Sequence, residues 1–318
     1  MTLRLIVGMS RSGTTSLVHA LNMRGDVAAF GETAFWGLPL SRIQNGLTQK
    51  QLMDLADHYN RAHMTTLDTQ LQTSIVSKND LAQSMAESIS RLPVGVNSGQ
   101  VFLAIGETVA DVYNKPYWVE KTPFHLMYVD EIIARFPDSR IVVCIRSPEA
   151  FLLSYKHLGD QKGEIVQKNL KSLYHPILAS IVCLKNIKTA QRISKVYPDN
   201  ILVLRLEDTR KEPTQTLGQV YAHLKLPASD IKEFPKTNSS FKSKNELTKE
   251  LSAIDRFWLK FLVGQESEKL GYDITKSSAN IGSVIISVFT LLIWPIKNIR
   301  IFSAYRISPL ELLRRWLK

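Results

Sequence analysis

The chain opens on a short apolar run, Leu3 to Met9, that ends in the turn Gly8-Met-Ser-Arg-Ser-Gly13 and passes into the helix-compatible stretch Thr14 to Leu21. A strand that feeds a helix through a glycine-bearing turn cannot pair back as a hairpin. Its next partner must be reached by a crossover, so the sheet is parallel and needs helices on both faces. The same alternation returns downstream. Tyr117 to Glu120 is β-rich, Phe124 to Phe136 repeats apolar residues at helical spacing, and Pro137-Asp138 turns into the buried-strand pattern Arg140 to Ile145. A helix follows from Pro148, another covers about 174 to 196, Ile201 to Leu206 is again a strand, and Pro213 stands where a helix tolerates proline, in its first turn. Thr48 with Gln51, and Ser77 with Asp80, have capping-box spacing, which predicts a helical insertion over 48–112. The expected fold class is α/β, a P-loop-like, mostly parallel sheet flanked by helices. One domain spans 1–275, followed by an apolar and basic tail at 276–318.

Charge narrows the function classes. The net charge of +11 is concentrated at the end: seven basic residues and one acid, Glu311, lie from Lys276 onward, against 33 basic and 28 acidic residues before it. So small a surplus on the main domain, with no basic stripe interleaved with aromatics, fits an anionic small molecule and argues against a nucleic-acid partner. Cys144 and Cys183 lie in apolar stretches and read as buried thiols of a reducing compartment. No cleavage pattern follows the first apolar run, so the expected location is cytoplasmic.

The first loop carries the chemistry. Gly8 to Gly13 matches the frame G-x-x-x-x-G, in which glycines turn backbone N–H groups and a helix N-terminus toward phosphate. Thr14 occupies the position of the lysine that reaches the terminal phosphates in a nucleoside triphosphatase. A P-loop kinase is therefore the weaker reading, with Arg11 as the loop's own cation. An ordinary βα turn without a ligand is the bland alternative.

Two strings together resemble one family. Arg11-Ser-Gly-Thr-Thr-Ser-Leu17 looks like the 5′-phosphosulfate loop of sulfotransferases, in particular the branch of Golgi-type carbohydrate and protein-tyrosine enzymes and their bacterial relatives. Arg146, directly after the strand, with Ser154 eight positions on, resembles that family's 3′-phosphate site. The likeness extends through Leu206-Glu207-Asp208 to Leu270-Gly271-Tyr272. It implies 3′-phosphoadenosine 5′-phosphosulfate as sulfonyl donor, no metal, and a hydroxyl acceptor such as a glycan, a glycolipid or another alcohol. Arg11, Ser12, Gly13, Thr14, Thr15, Ser16, Arg146 and Ser154 are the implied donor-binding residues. Glu32 in Gly31-Glu32-Thr33 resembles the family's carboxylate base, and Lys121 in Glu120-Lys121-Thr122-Pro123 its strand-end lysine, so Glu32, Lys121 and Arg11 form the implied catalytic set. The cytosolic branch has a histidine two positions after that lysine, where this chain has Pro123. His125 is a nearby substitute, though such a residue is more often structural. A nucleotide-binding membrane adaptor without catalysis is the third alternative.

The tail lies outside the resemblance. Ser277 to Ile296 is a run of twenty residues without charge, and Ile281 to Ile296 is its strongly apolar part. Six basic residues follow it, against the positive-inside tendency for a span out of the cytoplasm, and Pro295 interrupts its end. Residues 309–318 place Leu310, Leu313 and Leu317 on one face beside Arg314, Arg315 and Lys318. The expectation is an anchor on the anionic cytoplasmic face of a membrane, re-entrant or in-plane, near a lipid-linked or glycan acceptor. A core helix with a solvated tail is the alternative.

Overall fold

The computed structural model describes residues 2–43, 46–62, 78–158, 160, 163–230, 233–234 and 250–299. The chain forms two compact units, one of residues 1–145 and 192–237 and the other of 146–191 and 238–318.

The first unit holds one sheet of five parallel strands, β1 (Arg4–Gly8), β2 (Val27–Phe30), β3 (Tyr117–Lys121), β4 (Arg140–Ile145) and β5 (Ile201–Arg205), in the order β2-β3-β1-β4-β5. The described helices are α1 (Thr14–Asn22), α2 (Gln49–Ala62), α3 (Lys78–Ser90), α4 (Ser98–Val112), α5 (Val129–Arg135), α6 (Pro148–Lys156), α7 (Glu164–Leu173), α8 (Pro176–Val196), α9 (Pro213–His223), α10 (Ala253–Glu268) and α11 (Ile281–Lys297), with a single turn at Asp208–Lys211. The central strands are buried on both faces, which is why they read as continuous apolar runs. On one face Ile6, Val119, Val142 and Cys144 pack with Leu17, Val18 and Leu21 of α1 and Leu217, Val220 and Tyr221 of α9. Each fully buried aliphatic side chain there contributes about 1.5–3 kcal/mol over its exposed state. On the other face the Trp118 ring lies against Gly106 of α4, where any Cβ would enter the indole. Its ring centroid is 6.2 Å from that of Phe102.

The insertion contains α2, α3 and α4. The Thr48 box closes reciprocally: Thr48 N–H donates to Gln51 Oε1 at 2.9 Å and Gln51 N–H to Thr48 Oγ1 at 3.3 Å. Ser77 of the second box lies outside the described residues. The single helix expected over Phe124 to Phe136 is instead a 3₁₀ segment, Pro123–Tyr128, followed by α5. The tight turn is set where His125 N–H donates to the Thr122 carbonyl at 3.0 Å and the His125 ring is held from both sides. Cys144 and Cys183 are free and buried, and burial pushes Cys144 up to about 12 and Cys183 up as well.

The second unit is helical among its described residues and is organised around Asp255, whose side chain is 2% exposed. Its carboxylate accepts from Lys156 Nζ at 2.6 Å, Tyr174 OH at 2.8 Å, and Ser252 N–H and Oγ at 2.9 and 2.7 Å. Burial works to raise its pKa, and the bonds from Lys156 and Ser252 hold it below the ordinary value. The apolar stretch expected at 281–296 is the helix α11, and residues 309–318 lie outside the described residues.

Candidate active site

In a parallel sheet, ligands gather outside the carboxyl ends of the strands where the strand order reverses. Here the chain leaves β1 for β2 and β3 on one side, then places β4 and β5 on the other. The loop after β1 therefore stands at the switch point.

That loop is shaped by two glycines. Gly8 has φ +135°, and a Cβ there would meet the Cys144 carbonyl of the neighbouring strand. Gly13 has φ +87°, and a Cβ would enter the Leu206 side chain. Between them Arg11 also adopts positive φ, 68°. Ser12 serves the loop itself: its hydroxyl donates within reach of the Met9 and Cys144 carbonyls, 2.5 and 3.0 Å away, and it is 2% exposed. Of the donor-binding residues implied by the sequence, Ser12 thus turns its side chain inward. Gly13 occupies the N-cap of α1 without a side-chain cap, and no acid lies in the first turn. The first turn of α1 lies at the positive end of the helix dipole, where an anion is favoured. Thr14 is buried and Arg11 half-buried, with its guanidinium pKa lowered by burial yet fully protonated at neutral pH.

Beside the loop, β3 delivers Lys121. Ile6 of β1 pairs in register with Lys121, and Phe30 of β2 with Glu120. Alternation along β3 puts Val119 and Lys121 on the α1 face and Trp118 and Glu120 on the α4 face. The ammonium of Lys121 is near enough to His19 of α1 to depress its pKa together with burial, the larger cause. Lys121, 1% exposed, donates to Glu32 Oε1 at 2.6 Å, while Glu32 is 42% exposed. Gly31 makes this meeting possible, because a Cβ on it would collide with the Lys121 carbonyl. The structure therefore brings Glu32 and Lys121 together, and the partner of Lys121 is Glu32 rather than its neighbour Glu120.

Glu120 has a different task, one the sequence reading did not assign. Fully buried, its Oε1 accepts from Thr33 N–H at 3.2 Å, Thr33 Oγ1 at 2.8 Å and Thr122 Oγ1 at 2.5 Å, and its Oε2 from His125 Nδ1 at 3.1 Å. Burial pushes its pKa up, and His125, Thr122 and Thr33 together hold it below the ordinary value. Trp36 N–H donates to His125 Nε2 at 3.3 Å, so Nε2 is the acceptor and the proton sits on Nδ1. Both ring nitrogens are committed, which removes His125 as a substitute base. The network ties the neighbour of Glu32 to the neighbour of Lys121. Its signal in the sequence was a glutamate inside a strand otherwise apolar on that face.

Arg146 directly follows β4 and belongs to the second unit, as does Ser154, which lies buried in the second turn of α6. Ser147 caps α6 by accepting from Ala150 N–H at 3.3 Å.

The model of the sulfotransferase family matches residues 5–230. Among solved structures, the chain is similar to the Sulfotransferase Domain from the Synechococcus PCC 7002 Olefin Synthase, with TM-score 0.56 and 15% identity over 86% of this chain and 96% of that one. It is similar also to the Sulfotransferase Domain from the Curacin Biosynthetic Pathway, with TM-score 0.52 and 16% identity over 86% and 99%. At these identities the likeness concerns the fold. No curated protein matches the chain.

Proposed function

The chain belongs to the sulfotransferase family, and from that premise we propose that it transfers the sulfonyl group of 3′-phosphoadenosine 5′-phosphosulfate to a hydroxyl acceptor, a glycan, a glycolipid or another alcohol. The observation that carries this reading is the Lys121–Glu32 pair, 2.6 Å apart at the carboxyl edge of the sheet, next to the glycine-shaped loop.

In the proposed reaction the N–H groups at the start of α1 and Arg11 take the 5′-phosphosulfate. Arg146 and Ser154 take the 3′-phosphate. At rest Lys121 and Glu32 neutralise each other. The incoming anion draws the ammonium of Lys121 toward the oxygen that bridges phosphorus and sulfur, which leaves the half-exposed Glu32 carboxylate facing the acceptor. The acceptor oxygen attacks sulfur in line, the bond from sulfur to the bridging oxygen breaks with its electron pair passing to the phosphate, and Glu32 receives the acceptor proton. Lys121 and Arg11 stabilise the charge that gathers on the departing phosphate.

Radiolabelled donor offered with a panel of hydroxyl compounds tests the reading. Glu32→Gln is expected to keep donor affinity while turnover falls roughly 10²-fold. Turnover at the unsubstituted rate in Glu32→Gln would remove the carboxylate from the chemistry.

A further inference from the structure

Helix α11 is turned inside out for a protein in water. Its polar side chains face inward: Ser287 accepts from Trp258 Nε1 at 2.8 Å, and Thr290 Oγ1 lies 3.2 Å from His175 Nε2. Asn298, directly after the helix, pairs with Ser172 at 2.7 Å. Positions 287, 290, 294 and 298 form one stripe at helical spacing. Most of the remaining surface is apolar and open. Ile281, Ile286, Phe289, Leu292, Ile293 and Ile296 are between 56% and 79% exposed. A contiguous apolar surface of this kind marks an interaction site rather than an ordinary solvated face.

We propose that this face docks on an anionic membrane surface, with α11 lying in the plane of the bilayer. Two features choose this occupant. First, at 17 residues α11 is about 25 Å long, short of a hydrocarbon core of about 30 Å, and among the described residues no helix is long and apolar enough to cross a membrane. Second, the apolar face is flanked by Lys276 and Lys297 and followed by Arg300, Arg306, Arg314, Arg315 and Lys318, with Glu311 alone opposing them. Two copies docked through α11 would bring two such basic segments together and repel. An anionic leaflet attracts them, at about 1 kcal/mol for each basic residue near its surface. The inward stripe of Ser287, Thr290 and Asn298 keeps the helix fixed to its unit while the apolar face enters the headgroup boundary. This inference goes beyond the proposed reaction and does not depend on it.

Flotation of the full chain with vesicles tests the proposal, comparing phosphatidylglycerol mixed into phosphatidylcholine with phosphatidylcholine alone. The chain is expected to float with the anionic vesicles, less so as salt rises, and Phe289→Asp with Ile293→Asp to reduce the bound fraction at least about tenfold. Both positions are exposed, so the double variant retains its fold, which circular dichroism and donor affinity verify. A nitroxide on Phe289→Cys or Ile286→Cys should report similar shallow depths. Flotation that ignores anionic lipid, or survives the double substitution, overturns the proposal. So does a lipid-free dimer that the same substitutions dissociate, since the face then belongs to a second copy.

Discussion

Replacing Glu120 by Gln isolates what the buried network contributes, because shape is kept and only charge and one acceptor are removed. The glutamine carbonyl fits best at Oε1, where it retains the three bonds from Thr33 and Thr122. The amide NH₂ then faces the proton on His125 Nδ1, donor against donor. Moving that proton to Nε2 does not relieve the conflict, since Trp36 N–H already points there. The loss is one charge-assisted bond, weakening of three others and an unsatisfied buried donor, about 3–5 kcal/mol together. At about 2–4 °C for each kcal/mol in a chain of this size, the melting midpoint should fall by about 10 °C. The sign of the pH dependence follows from the lowered pKa of Glu120. Its contribution is fully present above the ordinary value of 4.5 and is lost as pH falls through the folded value. The gap between the unsubstituted protein and Glu120→Gln, read by urea midpoints with the slope checked for constancy, should therefore be widest near neutral pH and narrow below about 4.5. A destabilisation under about 1 kcal/mol, or a gap that does not change as pH falls through that range, refutes the network as drawn.

Two further outcomes follow from geometry. Gly13→Ala forces a side chain into a left-handed backbone position and into Leu206, so donor affinity measured by calorimetry should fall at least about tenfold, with partial recovery when Leu206→Ala is added. Lys156→Met leaves the buried Asp255 carboxylate without its cation and should cost about 2–4 kcal/mol in denaturant unfolding, nearer the low end of buried pairs because Lys156 is 29% exposed and Ser252 and Tyr174 remain as donors.

Most of the sheet was legible because β1, β4 and β5 are apolar runs bounded by turns and β3 opens on strand-forming residues, and pattern and punctuation suffice for those. β2 was not read from periodicity, since Val27–Phe30 is four residues long and half of them alanine. α7 was missed although Val166, Leu170 and Leu173 recur at helical spacing, because it is only ten residues long, polar on balance and without a buried residue. The residues of the candidate site were legible as motif strings, while their pairing was not. That Lys121 meets Glu32 rather than Glu120 depends on strand alternation and on the close approach at Gly31. That His125 is locked depends on Trp36, 89 positions away. Contacts of that kind are set by tertiary packing, which local pattern does not encode.

Nucleotide titration addresses the central claim most directly, because 3′-phosphate recognition separates a sulfonyl-donor site from an ordinary nucleotide loop. Adenosine 3′,5′-bisphosphate should bind the unsubstituted protein about 2–4 kcal/mol more tightly than adenosine 5′-phosphate, and Arg146→Ala should erase most of that difference. Equal affinity for the two nucleotides in the unsubstituted protein would contradict the account.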